Sequence, residues 1–269
     1  MKKLLTTNFV MIVNILFNKH VPSILFSALG PITIVALVFL AAKPSFADMQ
    51  YIDGFEIDRT EVTVGKFRKF VTATGYITAA EKNGGGMVYD TGWKKMNGWF
   101  WSSPFGIAAK LDEPAVHVTF DDAEAYCYWA GKRLPKDKEW AKAAFTEFRS
   151  NPPTPFVKGV SYLYPTGDTP KGANCLKDCG PTSAIDYSAR LSRGIGPTLA
   201  GTTKAGVNGL FDMGANVWEW TENGGLDEKR TRGGSWWYGS FRMRKDDHAT
   251  KSKDLAVVYI GFRCVKDTK

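Results

Sequence analysis

Apolar and charged residues alternate from Tyr51 to Asp58, in Tyr51-Ile52-Asp53-Gly54-Phe55-Glu56-Ile57-Asp58, which predicts a half-buried strand. The period then lengthens. Thr63 stands where a helix N-cap would, Val64, Phe67 and Val71 fall at i, i+3 and i+7, Lys66, Arg68 and Lys69 lie off that stripe, and Gly75 supplies a stop. This is the pattern of a helix with one face on the core. Ala115-Val116-His117-Val118-Thr119-Phe120 predicts a short strand, and Asp121-Asp122-Ala123-Glu124 after it has the look of an acidic cap with a glutamate three residues on. The helix that follows runs through Trp129, with Ala123, Cys127 and Ala130 on its inner stripe and Gly131 ending it. A further helix starts near Pro135 and turns Trp140 and Ala144 inward.

Between these elements periodicity fails. Residues 83–106 are rich in glycine and carry Trp93, Trp99, Phe100, Trp101 and Phe105, an aromatic cluster that serves a long loop as its private core more often than as a ligand platform. From Asn151 to Gly209 the chain is dense in Gly, Pro, Ser, Thr and Asn, which predicts long coil held by a disulfide, by metal ions, or by both. The 27 glycines, 13 prolines and 9 tryptophans agree with a loop-rich fold and argue against a helical bundle or solenoid.

The formal charge of +8 changes the picture less than its size suggests. Lys2, Lys3, Lys19 and Lys43 fall in the first 47 residues, which contain no acid, and the remainder holds 31 basic against 27 acidic side chains. Those charges are interleaved and make no basic stripe, so a nucleic-acid partner is not expected. Residues 1–47 instead predict a signal peptide: Lys2 and Lys3 open it, Ile32 to Ala42 is an apolar run short for a membrane span, and Ser45-Phe46-Ala47 has the small-x-small form of a cleavage site. The expected product is a periplasmic or secreted domain, residues 48–269. Left uncleaved, the leader is an inner-membrane anchor and the chain's single expected membrane contact.

All four cysteines, Cys127, Cys175, Cys179 and Cys264, lie after that site, an even count suited to an oxidising compartment, and three pairings are open. Cys175 and Cys179 alone do not make a zinc site, which needs two more ligands.

The last third carries the densest chemistry. Asn216-Val217-Trp218-Glu219-Trp220 sets an amide and a carboxylate three residues apart, Arg232-Gly233-Gly234-Ser235-Trp236 follows, and Gly261-Phe262-Arg263-Cys264-Val265 predicts a terminal strand. Taken with Asp58-Arg59-Thr60-Glu61-Val62-Thr63, Thr74 to Lys82, Val116-His117-Val118, Asp122 to Cys127 and Trp129-Ala130-Gly131-Lys132-Arg133-Leu134-Pro135, these segments resemble the formylglycine-generating enzyme, or sulfatase-modifying factor, family. The likeness runs in order over nearly all of residues 51–266.

The resemblance implies an α+β fold of the C-type-lectin-like kind, loop-rich and in one domain. It also implies a disulfide between Cys127 and Cys264, leaving Cys175 and Cys179 to pair locally or stay reduced. Structural calcium is implied at Asn216 and Glu219, and at Asn174 and Asp186, where hard oxygen donors suit the ion. Family members hold copper(I) between two thiolates placed three and eight residues after the serine of the Gly-Gly-Ser loop. Counting from Ser235 gives Tyr238 and Met243, so copper held in that way is not expected, nor is formylglycine formation by that route. The iron-dependent branch uses a histidine triad, which the sequence does not supply.

Two functions follow as expectations. One is an oxidase-like tailoring or maturation enzyme acting on a peptide-derived or small-molecule substrate, with Ser235, Tyr238 and His248 at the reacting centre and Trp236, Trp237, Arg242 and Arg244 holding the substrate. The other is a non-catalytic lectin-like module that binds an envelope protein through the same groove.

Overall fold

The alternating segment folds back on itself. In the computed structural model, which describes residues 48–193 and 195–268, it forms two antiparallel strands, β1 (Met49–Ile52) and β2 (Phe55–Asp58), instead of the one strand expected. The reason is Asp53-Gly54, whose φ angles of 23° and 100° are both positive and close a two-residue hairpin. The expected leader and its cleavage point after Ala47 lie outside the described residues. Among those residues no helix is long and apolar enough to cross a membrane.

Helix α1 (Val64–Thr74) is capped by the Thr63 hydroxyl and ended by Gly75, as its pattern predicted, although Phe70 is buried deeper than Val71. A four-residue helix α2 (Ala79–Lys82) follows. The glycine-rich stretch after it is more ordered than expected, with a hairpin of β3 (Gly85–Tyr89) and β4 (Trp93–Asn97). Its aromatics divide: Trp93 is exposed, whereas Trp99, Trp101 and Phe105 join the core, where Phe105 stacks on Tyr187 with centroids 3.7 Å apart.

Residues 115–119 are buried coil and not the strand expected, because His117 sits at φ 54° and breaks the pleat. Helix α3 (Phe120–Trp129) then starts one step earlier than read. Thr119 is its cap and Asp122 completes the reciprocal capping box, so the Asp121-Glu124 pairing is not used. Helix α4 (Asp137–Phe145) buries Trp140 and Ala144 as expected. Residues 151–206 are coil and turns among the described residues.

The rest is sheet. Strands β5 (Trp218–Gly224), β6 (Glu228–Arg232), β7 (Ala249–Ser252) and β8 (Ile260–Gly261) pair in the order β7-β6-β5-β8, with β8 parallel to β5. The expected terminal strand is cut in two: β8 belongs to this sheet, while β9 (Val265–Asp267) adds to β2 in the other. The crossing between sheets places Phe262, Arg263 and Cys264 in the interior. Cys264 bonds Cys127 of α3, as the family likeness implied.

Arg263 is fully buried and meets Glu219 of β5 through two hydrogen bonds of 2.7 Å. Its remaining donors reach the carbonyls of Asp58 at 3.0 Å and Phe211 at 2.8 Å, and the Trp140 indole of α4 donates to Glu219 at 2.7 Å. One guanidinium thus joins both sheets and a helix. Removing one partner of such a pair costs about 3–5 kcal/mol, because the other charge is left buried.

Two more carboxylates, Glu61 and Asp212, are buried close enough to this pair to feel its charges. Three acids then face one guanidinium. Burial, reinforced by Asp212 and Glu219, pushes the Glu61 carboxyl well above the usual carboxylate range, and burial also raises Asp212.

Two outcomes test this frame. The Cys127–Cys264 link spans 137 residues, so its loss as a paired Ala variant should destabilise the chain by about 5 kcal/mol less any native strain, read from urea midpoints. Glu61 binds its proton more tightly folded than unfolded, so its contribution is complete below about pH 4.3 and falls as pH rises towards the elevated value. Glu61→Gln should therefore make the decline of the urea midpoint between pH 5 and 8 shallower than in the wild type. An unchanged slope would show that Glu61 takes no extra proton.

Candidate functional site

The loop after β6 is set by charge and by glycine. Arg232 holds Asp137 of α4 through bonds of 2.7 and 2.8 Å and donates to the Asp247 carbonyl at 2.8 Å, fixing the end of the strand. Gly233 and Gly234 then turn the chain at φ 94° and 76°, and a Cβ on Gly233 would come within 2.8 Å of the Met213 carbonyl oxygen. The turn drives Ser235-Trp236-Trp237 into the core.

Ser235 is buried, and its hydroxyl oxygen accepts from the Trp237 amide at 3.3 Å. The two indoles meet edge to face with centroids 5.0 Å apart. Tyr238 is the first of these residues to regain the surface. Its ring stands edge-on to Trp218 and Tyr259 at 6.0 and 5.8 Å, and the guanidinium carbons of Arg193 and Arg242 lie 5.7 and 6.0 Å from its centroid. Burial, and then the neighbouring Tyr238 hydroxyl, raise the Tyr259 phenol. A half-buried phenol framed by two cations is an arrangement that receives an anion.

A cleft of about 270 Å³ opens beside this loop, lined by Asn174, Cys175, Thr182, Ile195 and Trp236 among others. Trp236 lines the cleft although it is almost wholly buried, and its indole N–H, itself buried, has no hydrogen-bond partner among the described residues. Trp237 is packed away at 1 % exposure and supports Tyr259 from below at 5.6 Å.

The other expected residues separate. Arg242 is shared: it pairs with Asp247 at 2.9 Å while lying over Trp218 at 5.0 Å. Arg244 points to Asp246 in solvent, at 3.0 Å. His248 is exposed, and its imidazole is lowered by partial burial and by Arg230 and Arg232, against which Asp137 and Asp247 act. His117 lies in the core, where burial lowers its imidazole to about 4 and the ring meets the Pro104 carbonyl at 3.0 Å. It is no proton carrier at neutral pH.

The four oxygen-bearing residues assigned to calcium are arranged otherwise. Asn174 and Asn216 are bonded to each other at 3.1 Å, in one network. Asn216 also donates to Glu61 at 3.0 Å, accepts from Thr198 at 2.9 Å, and through its own carbonyl accepts the Trp236 amide at 2.9 Å, so it anchors the Gly-Gly-Ser loop. Both oxygens of Glu219 face Arg263, and a divalent cation there would have to displace a guanidinium. Asp186 is exposed and bonded to Ser188 at 2.9 and 2.6 Å, while Asn174 accepts from Thr182 at 2.9 Å. As arranged, neither pair fits calcium. The copper positions fail on chemistry: Tyr238 offers a phenol and Met243 a buried thioether.

Sequence patterning passed over Arg193 and Tyr259. Arg193 lies in aperiodic coil and Tyr259 in an apolar run, so neither carries a local signal of proximity to Tyr238.

The chain is 28% identical to mouse "Formylglycine-generating enzyme", with 80% of this chain and 67% of that protein covered. It is 31% identical to mouse "Inactive C-alpha-formylglycine-generating enzyme 2", covering 78% and 74%. Among solved structures, PvdO from Pseudomonas aeruginosa superposes with a TM-score of 0.54 at 20% identity, covering 80% of each chain. The sulfatase-modifying factor enzyme 1-like domain matches residues 38–268, a span that includes every described residue, and the chain belongs to that family, with a C-type-lectin-like α+β fold.

Proposed function

We propose that the chain is an exported, oxidase-like tailoring or maturation enzyme that works without a two-thiolate copper site. Its substrate is peptide-derived or a small molecule bearing a carboxylate, and it binds between Arg193 and Arg242 with its reacting atom beside Tyr238. The observation that carries this is the half-buried Tyr238 ring with the Arg193 and Arg242 guanidinium groups 5.7 and 6.0 Å from its centroid, at the position where the family likeness puts a copper ligand. Arg193 is exposed and lies over the Trp237 and Tyr238 rings, each at 5.7 Å, where it would meet an anion, while Arg242 is held by Asp247 and Trp218 and sets the orientation. Trp236 lines the adjoining cleft. In this scheme the Tyr238 hydroxyl moves the proton, and Ser235, buried and bonded to its own loop, keeps the turn in shape. Export is supported by two disulfides, Cys127–Cys264 and Cys175–Cys179, which suit an oxidising compartment.

A second reading is favoured by a separate observation: neither His117 nor His248, the histidines among the described residues, stands beside Tyr238. The groove then works as a binding surface for an envelope protein. A mammalian relative at 31% identity carries "inactive" in its name, which fits such a use of the scaffold.

Oxygen consumption by the purified chain, measured over a panel of peptide and small-molecule acids with and without added copper, decides between them. Turnover is expected without copper. Tyr238→Phe should lower it by about 10²- to 10⁴-fold. Arg193→Ala should raise KM by about tenfold or more, the loss of one charge-assisted contact, while His248→Ala stays within about twofold. No turnover on any acid, with an envelope protein co-purifying stoichiometrically, supports the binding module instead.

A further inference from the structure

Two aromatic rings stand at the tip of the β3–β4 hairpin. Tyr89 and Trp93 pair across its last rung with centroids 5.3 Å apart and planes at 77°, yet they are 43 % and 51 % exposed. The turn between them, Asp90-Thr91-Gly92, bends through φ 55° at Thr91 and 146° at Gly92. Single apolar side chains in water are ordinary, whereas a paired aromatic surface is the form that a ring-binding patch takes.

The hairpin is tied to the Tyr238 site at both ends. Met87 bridges Val257 in parallel, its amide donating to Ala256 at 2.7 Å and its carbonyl accepting from Val258 at 3.2 Å. The same register carried two residues on sets Tyr89 beside Tyr259, whose ring meets Tyr238 at 5.8 Å. Burial first, and then Tyr238 and Tyr89 among its neighbours, raise the Tyr259 phenol. At the tip, the Ser192 hydroxyl donates to Asp90, and the next residue is Arg193, over the Trp237 and Tyr238 rings at 5.7 Å each.

We propose, on the reading that Arg193 and Arg242 receive a carboxylate, that Tyr89 and Trp93 form a second subsite which takes an aromatic ring of the same substrate. The substrate is then an acid that carries an aromatic side chain. Asp90 and Ser192 join the ring subsite to the residue that meets the carboxylate, so the two walls are positioned by one bond.

The neighbours select the ring over other groups that stack on aromatics. Lys94 lies 3.8 Å from Asp90, and Arg193 follows Ser192 directly, so a cationic group approaching the pair is repelled. One oxygen of Asp90 is on Ser192 and the other faces Lys94, which leaves a sugar no carboxylate to accept from its hydroxyls. An aromatic ring needs neither partner: it stands edge-on to one ring and offset on the other, at centroid separations of about 4.5–7 Å.

The test is calorimetric titration of the full chain with three probes, N-acetyl-phenylalanine, N-acetyl-alanine and N-acetyl-phenylalanine amide. The phenylalanine acid should bind about tenfold more tightly than the alanine acid. Trp93→Ala and Tyr89→Ala, each checked to melt as the wild type does, should bring the phenylalanine acid towards the affinity of the alanine acid and leave the alanine acid unchanged. Trp93→Phe should keep most of the preference, and Arg193→Ala should weaken both acids alike. No binding of N-acetyl-phenylalanine, equal affinity for the two acids, or a loss in Trp93→Ala shared by both acids overturns the subsite. Failure of the carboxylate reading looks different: the amide then binds as well as the acid and Arg193→Ala changes nothing, while the ring preference and its loss in Trp93→Ala remain.

Discussion

A guanidinium sealed from water has to be answered by a carboxylate and by carbonyls, and Arg263 is answered by Glu219, Asp58 and Phe211 at once. Those partners belong to β5, the end of β2 and the segment leading to Asn216. Once the pair has formed, the chain between β8 and β9 has one path available, the path that carries it from one sheet to the other. Trp140 holds the same carboxylate from α4, so the second hydrophobic cluster is tied to the first through a single side chain. The arrangement is specific more than it is generous in energy: desolvating both charges offsets much of their attraction, and what remains is the heavy penalty on any other arrangement.

The functional loop inherits its position from that frame. Asn216 lies three residues before Glu219, and its carbonyl receives the Trp236 amide while its side chain joins Glu61, Thr198 and Asn174. The coil from 174 to 198, which has no ladder of its own, is thereby stitched to the Gly-Gly-Ser turn. This is why Tyr238 can be at the surface with its immediate predecessors wholly inside. The floor is tryptophan and the rim is arginine, with Arg242 held by Asp247 and by the Trp218 ring.

Three sets of polar residues that look alike along the chain do different work. Asn216 and Glu219 support the loop, Arg193 and Arg242 lie over the ring of a half-buried phenol, and Arg244 pairs with Asp246 while His248 sits among Arg230, Arg232, Asp137 and Asp247. The cysteines divide in the same way. Cys127–Cys264 is sealed in the core and closes a 137-residue span, whereas Cys175–Cys179 spans 4 residues and opens onto the cleft. The first restrains the unfolded chain, and the second keeps its sulfur within reach of reagents.

Short-range signals were legible in the chain itself. Thr63 and Gly75 bound α1, Trp140 and Ala144 turn inward on α4, and the order of the motifs identified the fold, because caps, stops and helical stripes depend on neighbours a few residues away. Errors appeared where one residue's backbone angle outweighed a pattern: Asp53-Gly54 made two strands of one, and His117 unmade another. The site lay beyond such local reasoning. Glu61 meets Asn216 across 155 residues, Arg263 meets Glu219 across 44, and Cys179 meets Met243 across 64, and nothing in the spacing of those residues encodes their contact. Residue type stated which chemistries were available, a phenol, guanidinium groups, thiols and a thioether. Only burial and the crossing between sheets decided which of them share a wall, since proximity at those separations is a property of packing.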